Sequence, residues 1–383
     1  LKINININII IYRYLINVKC NKQFFIKVEV FMNTGIICEF NPFHAGHKYL
    51  IDKVKSRRDN KVVCIMSGNF VQRGDFAVYD KFARAKEAII GGADLVIELP
   101  PEQALLSAEG FARSAVRLAE SLDVLDELAF GAENDDIEEL KATAMLLEKA
   151  ETQENIKEAM KSGLSYPAAR QKVLKSSVLE TPNNILACEY IKETSLNCFA
   201  VKRIGKGHDS DDEEYSATQI RKRLSDENTA NIKNCETAFL YRLRTMSKDD
   251  FSKIADVNEG LENRLYEAAG MATSFEDFIF RAKSKRYTLS RIRRIAVRAY
   301  LGIEGKSFDV PVIRVLGFNE NGKKLLSEIK KNSIKSIITK LSDCDESNLK
   351  YFLKQCEYTD LYNLALKKPL PRAAEQRSQI VVI

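Results

Sequence analysis

The chain has 383 residues, 45% hydrophobic and 29% charged, with a formal net charge of +6. That is a globular composition, and the length suffices for two domains with sizeable cores. No apolar run approaches the ~20 residues that span a bilayer. The 8 cysteines include no CxxC spacing and there are 3 histidines in all, which argues against a zinc cluster or disulfide framework and fits a reducing cytoplasm.

Residues 1–31 are dominated by Ile, Asn, Lys, Tyr and Phe, without a Gly or Pro turn. Their shared AT-rich codons point to translated upstream sequence without a functional role, with Met32 as the start of the protein proper. Thr34–Phe40 is an apolar run of the kind found in a buried parallel strand. A helix is expected from Gly46 to about Arg57, and Lys61–Met66 is a second buried strand. Ser67–Phe76 is a Gly-containing loop. Asp80–Ile90 is a helix stopped by Gly91-Gly92. Asp94–Leu99 is a third strand ended by Pro100-Pro101, followed by a helix over Glu102–Leu122. Glu127–Phe130 is a fourth strand ended by Gly131. Residues 135–191 are mostly helical, Cys198–Val201 is a fifth strand, and Ser216 begins a further helix.

This alternation predicts an α/β fold, a Rossmann-like parallel sheet with helices on both faces. From about residue 226 the texture changes to short charged helices, so the expected boundaries are 32–225 for the domain that carries the sheet and 226–383 for a mostly helical, basic domain. Residues 226–383 hold 28 Lys+Arg against 21 Asp+Glu, so the positive excess of the chain sits there. That asymmetry hints at a polyanionic partner.

Asn41-Pro42-Phe43-His44-Ala45-Gly46-His47 lies between the first strand and its helix. His44 and His47 are three residues apart and face the same side of the helix mouth. The helix N-terminus presents unpaired N–H groups and partial positive charge, which suits a phosphate. Two imidazoles beside it can donate hydrogen bonds as charge builds on phosphoryl oxygens. Chemistry at phosphorus rests mostly on positioning and electrostatics, so no covalent nucleophile is required. A plain pair of helix-start histidines is the competing reading, but two of the chain's 3 histidines fall in this one window.

Gly35-Ile36-Ile37-Cys38-Glu39-Phe40-Asn41-Pro42-Phe43-His44-Ala45-Gly46-His47 resembles the signature of the HIGH-motif nucleotidyltransferase superfamily, and Ser216-Ala217-Thr218-Gln219-Ile220-Arg221 resembles its second signature. Met66–Gly74, Gly92–Pro100, Pro182–Leu186, Lys202–Gly205 and Arg314–Asn319, in that order, are similar to the bacterial tRNA(Met) cytidine acetate ligases. The resemblance covers Met32 to the C-terminus. It departs at Ala45, where the family commonly has Asn.

The resemblance implies activation of acetate by ATP as acetyl-adenylate, then acetylation of the exocyclic amine of the wobble cytidine of elongator tRNA(Met). In that reading His44 and His47 are catalytic. ATP is wrapped by Ile37, Cys38, Glu39, Phe40, Asn41, Pro42, Phe43, His44, Ala45, Gly46, His47, Lys48, Tyr49 and Leu50. Gly131, Asn183 or Asn184, Arg203 and Ile204 complete its site. Ser216, Thr218 and Arg221 at a helix start are a further phosphate-binding candidate. Magnesium is expected to arrive with ATP, with no dedicated protein metal site.

Residues 281–300 contain eight Lys or Arg and no acid. A helix capped by Ser290 and ending before Gly302 would align Arg291, Arg294 and Arg298 on one face. With Arg286, these are the candidate tRNA contacts. The partners expected are therefore elongator tRNA(Met) and acetate, in the cytoplasm, with no membrane or DNA. The alternative function is a small-molecule adenylyltransferase joining AMP to a phosphorylated acceptor.

Overall fold

The computed structural model describes residues 32–57, 60–203 and 229–383. Its strands are β1 Met32–Cys38, β2 Asn60–Ser67, β3 Phe70–Val71, β4 Asp75–Phe76, β5 Leu95–Leu99, β6 Glu127–Ala132, β7 Asn197–Lys202, β8 Ile313–Phe318, β9 Ile337–Ile338 and β10 Val381–Val382. Among the described residues the main sheet runs β10-β8-β5-β2-β1-β6-β7, with β9 on β8. The pairs β5·β2, β2·β1, β1·β6 and β6·β7 are parallel. The chain leaves β1 toward β2 on one side and returns to β6 on the other. This reversal of strand order opens a crevice at the carboxyl ends of β1 and β6, where open α/β sheets bind ligands.

Period-two alternation explains why the middle of β2, Val62–Met66, is apolar on both faces. Val62, Cys64 and Met66 of β2 face a core with Ile51 and Val54 of α1 (Ala45–Arg57) and Ala85 and Ala88 of α2 (Lys81–Ile90). Val63 and Ile65 face the opposite core, with Phe111, Ala115 and Ala119 of the helix Ala108–Glu120. Both faces are covered, so neither side of the strand can be polar. Helix α2 begins where expected because the Asp80 carboxylate accepts from the Phe82 and Ala83 N–H groups, and it ends at Gly91.

Three local expectations are corrected. The helix foreseen over Glu102–Leu122 is two helices, α3 Pro101–Ala104 and α4 Ala108–Glu120, separated because Ser107 caps the second through the Gly110 N–H. The loop foreseen over Ser67–Phe76 contains the antiparallel pair β3·β4. Thr288, not Ser290, holds the N-cap position of the basic helix Leu289–Leu301, which ends at Gly302 in the left-handed region.

The segment beyond the boundary foreseen at 226 packs closely on the sheet domain. The described residues from 32 to 383 fall in one compact unit. The helices Glu236–Thr245, Leu261–Met271, Phe275–Ala282 and Leu289–Leu301 do build a core of their own around Phe239, Phe251, Phe275, Phe278 and Tyr300. That core, however, also takes in Phe70, Phe76 and Leu105. Beyond it, β8 returns to pair antiparallel with β5, and β10 pairs with β8. A buried charge cluster ties this return in place. Lys81 Nζ contacts Glu98 at 2.8 Å and Glu375 at 2.7 Å, and Arg314 contacts Glu375 at 3.5 Å.

Candidate active site

After β1 the backbone turns sharply. Phe40 sits at φ 44, and the Asn41-Pro42 peptide is cis. The turn is held from outside itself. Asn41 Oδ1 accepts from Val78 N–H at 2.8 Å, and Glu39 Oε1 accepts from Gln72 N–H at 2.6 Å. Fully buried Arg84 donates to the carbonyls of Glu39, Ser67, Gly68 and Tyr79. One guanidinium thus fixes the carboxyl ends of β1 and β2 together, and sequence reading gave no sign of it.

Helix α1 then starts at Ala45. The Gly46 N–H donates to His44 Nδ1 at 3.0 Å. In neutral His44 the proton therefore lies on Nε2, the outer nitrogen. A Cβ on residue 46 would come within 2.9 Å of the His44 ring, so glycine is what lets that ring fold over the helix start. The His44 and His47 rings stack with centroids 3.8 Å apart, and Phe40 lies 4.8 Å from His47. Burial, then His44 and Arg203, hold the His47 imidazole well below its ordinary pKa. His47 Nδ1 has no hydrogen-bond partner among the described residues.

Opposite the histidines, β6 and β7 bring up Arg203. Gly131 pairs with Val201, and Arg203 N–H donates to Ala132 O at 3.0 Å. A Cβ at Gly131 would lie 3.4 Å from Arg203 Cγ, in ordinary contact, so the Arg203 side chain lies over the end of β6. The two candidate asparagines separate cleanly. Asn184 is 3% exposed and its Oδ1 accepts from the Glu133 and Asn134 N–H groups. It holds the loop after β6. Asn183 lines the cleft and donates to Glu133 Oε1.

Glu133 was not foreseen. Its carboxylate accepts from Asn183 Nδ2 and from Asn184 N–H at the start of the helix Pro182–Glu193, and lies 3.9 Å from Arg203 Nε. Its position two residues beyond Gly131, at a strand end beside the topological switch, is the signal that would have found it.

The cleft has a volume of ≈ 1710 Å³. Of the predicted ATP-wrapping residues, Ile37, Cys38, Glu39, Phe40, Asn41, His44, Gly46, His47, Tyr49 and Leu50 line it, as do Gly131, Asn183 and Arg203. Pro42, Phe43, Ala45 and Lys48 do not line it: Phe43 packs on Phe40, and Lys48 pairs with Asp52 at 2.8 Å. Burial, then Cys64, pushes the Cys38 thiol well up, so it is no nucleophile. Ile204, Ser216, Thr218 and Arg221 lie outside the described residues. Among the described residues there is no group of three His, Cys, Asp or Glu suited to a metal, and no helix long and apolar enough to cross a membrane.

The cationic face foreseen on Leu289–Leu301 is largely turned inward. Arg298 is 1% exposed and donates to Glu102 O and Gly305 O, so it is a structural residue and not a surface contact. Arg291 donates to Asp256 O and Asn258 Oδ1, and Arg286 pairs with Glu259 at 3.0 Å. Arg294 is 8% exposed. Arg286, Arg291 and Arg294 nonetheless line the same cleft as the histidines. Helical periodicity predicts which residues share a face, but not whether that face is solvated.

A Rossmann-like sheet with two stacked histidines at the first strand-to-helix junction defines a nucleotidyl transferase of the HIGH class, and residues 32–377 match the HIGH Nucleotidyl Transferase family. The tRNA(Met) cytidine acetate ligase of Thermoanaerobacter sp. (strain X514) is 40% identical over 381 residues, covering 87% of this chain and 95% of that protein. That of Acetivibrio thermocellus is 35% identical over 410 residues, covering 91% and 99%. The crystal structure of Thermotoga maritima TmcAL bound with alpha-thio ATP superimposes with a TM-score of 0.81 at 28% identity, over 92% of this chain and 99% of that one. This chain belongs to the HIGH nucleotidyl transferases and, within them, to the tRNA(Met) cytidine acetate ligase family.

Proposed function

We propose that the protein is an ATP-dependent ligase that acetylates the wobble cytidine of elongator tRNA(Met) in the cytoplasm. In the first step an acetate oxygen attacks the α-phosphorus of ATP, forming acetyl-adenylate and releasing pyrophosphate. In the second, the exocyclic amine of the cytidine attacks the acetyl carbon. AMP leaves, the amine loses a proton, and N-acetylcytidine results.

The observation that carries this reading is the stacked His44–His47 pair facing Arg203 across the crevice in a chain whose relatives bear this name. His44 presents Nε2–H, a donor suited to a phosphoryl oxygen gaining charge. Arg203, a guanidinium beside the β6 and β7 strand ends, suits phosphate or adenine stacking. Asn183 is the asparagine positioned to reach the nucleotide. Ser216, Thr218 and Arg221 are proposed as further phosphate contacts, with Ile204 against the adenine. Magnesium would enter on the ATP phosphates, which it commonly binds with few protein ligands.

A volume of ≈ 1710 Å³ exceeds the roughly 300–1,000 Å³ of ordinary small-molecule sites. That supports a macromolecular acceptor sharing the cleft, with Arg286 and Arg291 on its wall. The deciding experiment is incubation with ATP, labelled acetate and total tRNA, followed by nucleoside analysis. Label in N-acetylcytidine is the expected result. ATP consumption without acetate, driven by a small phosphorylated acceptor, would overturn the reading in favour of an adenylyltransferase.

A further inference from the structure

Among the described residues the buried arginines are anchored through their terminal nitrogens, with one exception. Arg84 grips main-chain carbonyls, Arg170 pairs with Glu189 at 2.9 Å, Arg298 donates to Glu102 O and Gly305 O, and Arg314 donates to Ile338 O. Arg294 has no hydrogen bond or ion pair among the described residues; its Nε is buried without a partner, as are those of Arg170, Arg298 and Arg314, but its terminal nitrogens are not among the buried unpaired atoms, and the residue lines the cleft. Burial lowers its pKa to about 10; the acid whose field opposes this, Asp256, lies 3.8 Å from Lys306. A guanidinium whose stem is buried and whose terminal nitrogens find no partner in the chain is left to pair with water or with an anion in the cleft.

The surroundings are built to hold it. Gly74, at φ +76 in the turn between β3 and β4, lies so close to the Arg293 and Arg294 backbone that a Cβ there would overlap the Arg294 nitrogen. Arg293 bridges Asp75 at 3.1 Å and Glu276 at 3.0 Å. Arg291 is held by Asp256 O and Asn258. The helix is thus clamped on both sides of Arg294, on the wall of the cleft that also contains the histidines.

We propose that Arg294 is the anchor of an oxyanion subsite that takes one phosphodiester of the RNA substrate; this rests on the tRNA reading above. A planar fork recognises a phosphate through two parallel hydrogen bonds. Acetate is the competing anion, but it must lie in line with the α-phosphorus beside His44 and His47. The β3–β4 hairpin stands between, touching the nucleotide turn through Gln72–Glu39 and the arginine helix through Gly74. The wobble base must enter a cleft built around ATP, so one fixed backbone phosphate at its wall would set the depth of insertion.

The test is ethylation interference on elongator tRNA(Met) with the full chain, wild type, Arg294→Met and Arg294→Lys. In the wild type, ethylation of one particular phosphate should block binding. In Arg294→Met, affinity should fall roughly 10- to 100-fold, as for loss of a charge-assisted hydrogen bond, and that interference should vanish. The slope of log affinity against log salt should shrink by about 0.7–0.9. Arg294→Lys, which keeps the charge and loses the fork, should recover the slope but only part of the affinity. An unchanged interference pattern in Arg294→Met overturns the proposal. So does unaltered tRNA binding with a raised KM for acetate in ATP–pyrophosphate exchange, which would assign the subsite to the carboxylate. Failure of the wild type to bind tRNA would instead overturn the tRNA reading itself.

Discussion

The His44 and His47 imidazoles stack 3.8 Å apart at an interplanar angle of 27°, and His44 Nδ1 is locked by the Gly46 N–H. Two rings so close cannot both be charged without mutual repulsion, which agrees with the lowered pKa of His47. His47 is therefore held neutral beside His44, and the pair carries at most one charge. His47→Ala should cut acetate-dependent ATP–pyrophosphate exchange by about 10²–10³-fold, as for loss of a preorganised transition-state donor. Exchange kinetics at saturating ATP check this, and a change in KM alone would contradict it.

The same shift predicts a pH dependence of stability. The folded-state pKa of His47 is depressed, so at neutral pH neither folded nor unfolded form carries the proton. As pH falls below about 6.5 the unfolded chain takes up a proton that the folded chain refuses, and stability drops until the folded pKa is passed. Thermal melts between about pH 7.5 and 5 should fall less steeply for His47→Gln than for the wild type. Parallel curves would refute the assignment.

Asn183 and Asn184 should divide function from stability. Asn184→Ala leaves the Glu133 and Asn134 N–H groups without their acceptor and should destabilise the chain by about 1–3 kcal/mol in urea titration. Asn183→Ala should raise the KM for ATP with little change in the unfolding midpoint. The reverse pattern would exchange their roles.

Buried Lys81 is where the C-terminal return is secured. Burial would lower its pKa, yet Glu375 and Glu98 outweigh that and raise it. Burial would raise Glu375, but Lys81 and Arg314 hold it down. Glu375→Ala leaves two buried cations short of an acid and should cost about 3–5 kcal/mol. Urea unfolding measures this; a loss under 1 kcal/mol would mean that water enters the cluster.

Glycines 74 and 305 offer a matched comparison. Both have positive φ, at +76 and +63, but a Cβ at 305 meets open space. Gly305→Ala should therefore cost only the left-handed penalty of roughly 1–2 kcal/mol. Gly74→Ala adds the clash with Arg293 and Arg294 and should cost measurably more, in the same chemical-denaturation assay.

Much of this was legible because it is local. The alternation of β-branched runs with capped helices announced the parallel sheet, and Asp80, Gly91 and Gly302 stand at the helix ends where their chemistry suits them. The break at Ser107 was missed because an apolar periodic run reads through a three-residue interruption. Strand β8 was missed because Ile313–Phe318 lies within helical, charged sequence, and its partner β5 is more than two hundred residues away.

By itself the sequence determined the histidine pair at a strand-to-helix junction, since a spacing of three fixes a shared helical face whatever surrounds it. It also determined the basic character of residues 281–300. Only the tertiary structure decided that Arg298 is interior, that Asn184 is scaffold while Asn183 faces the cleft, and that Glu133 joins Asn183 to Arg203. Burial and partnership depend on which distant segments pack against a side chain, and no local periodicity carries that information.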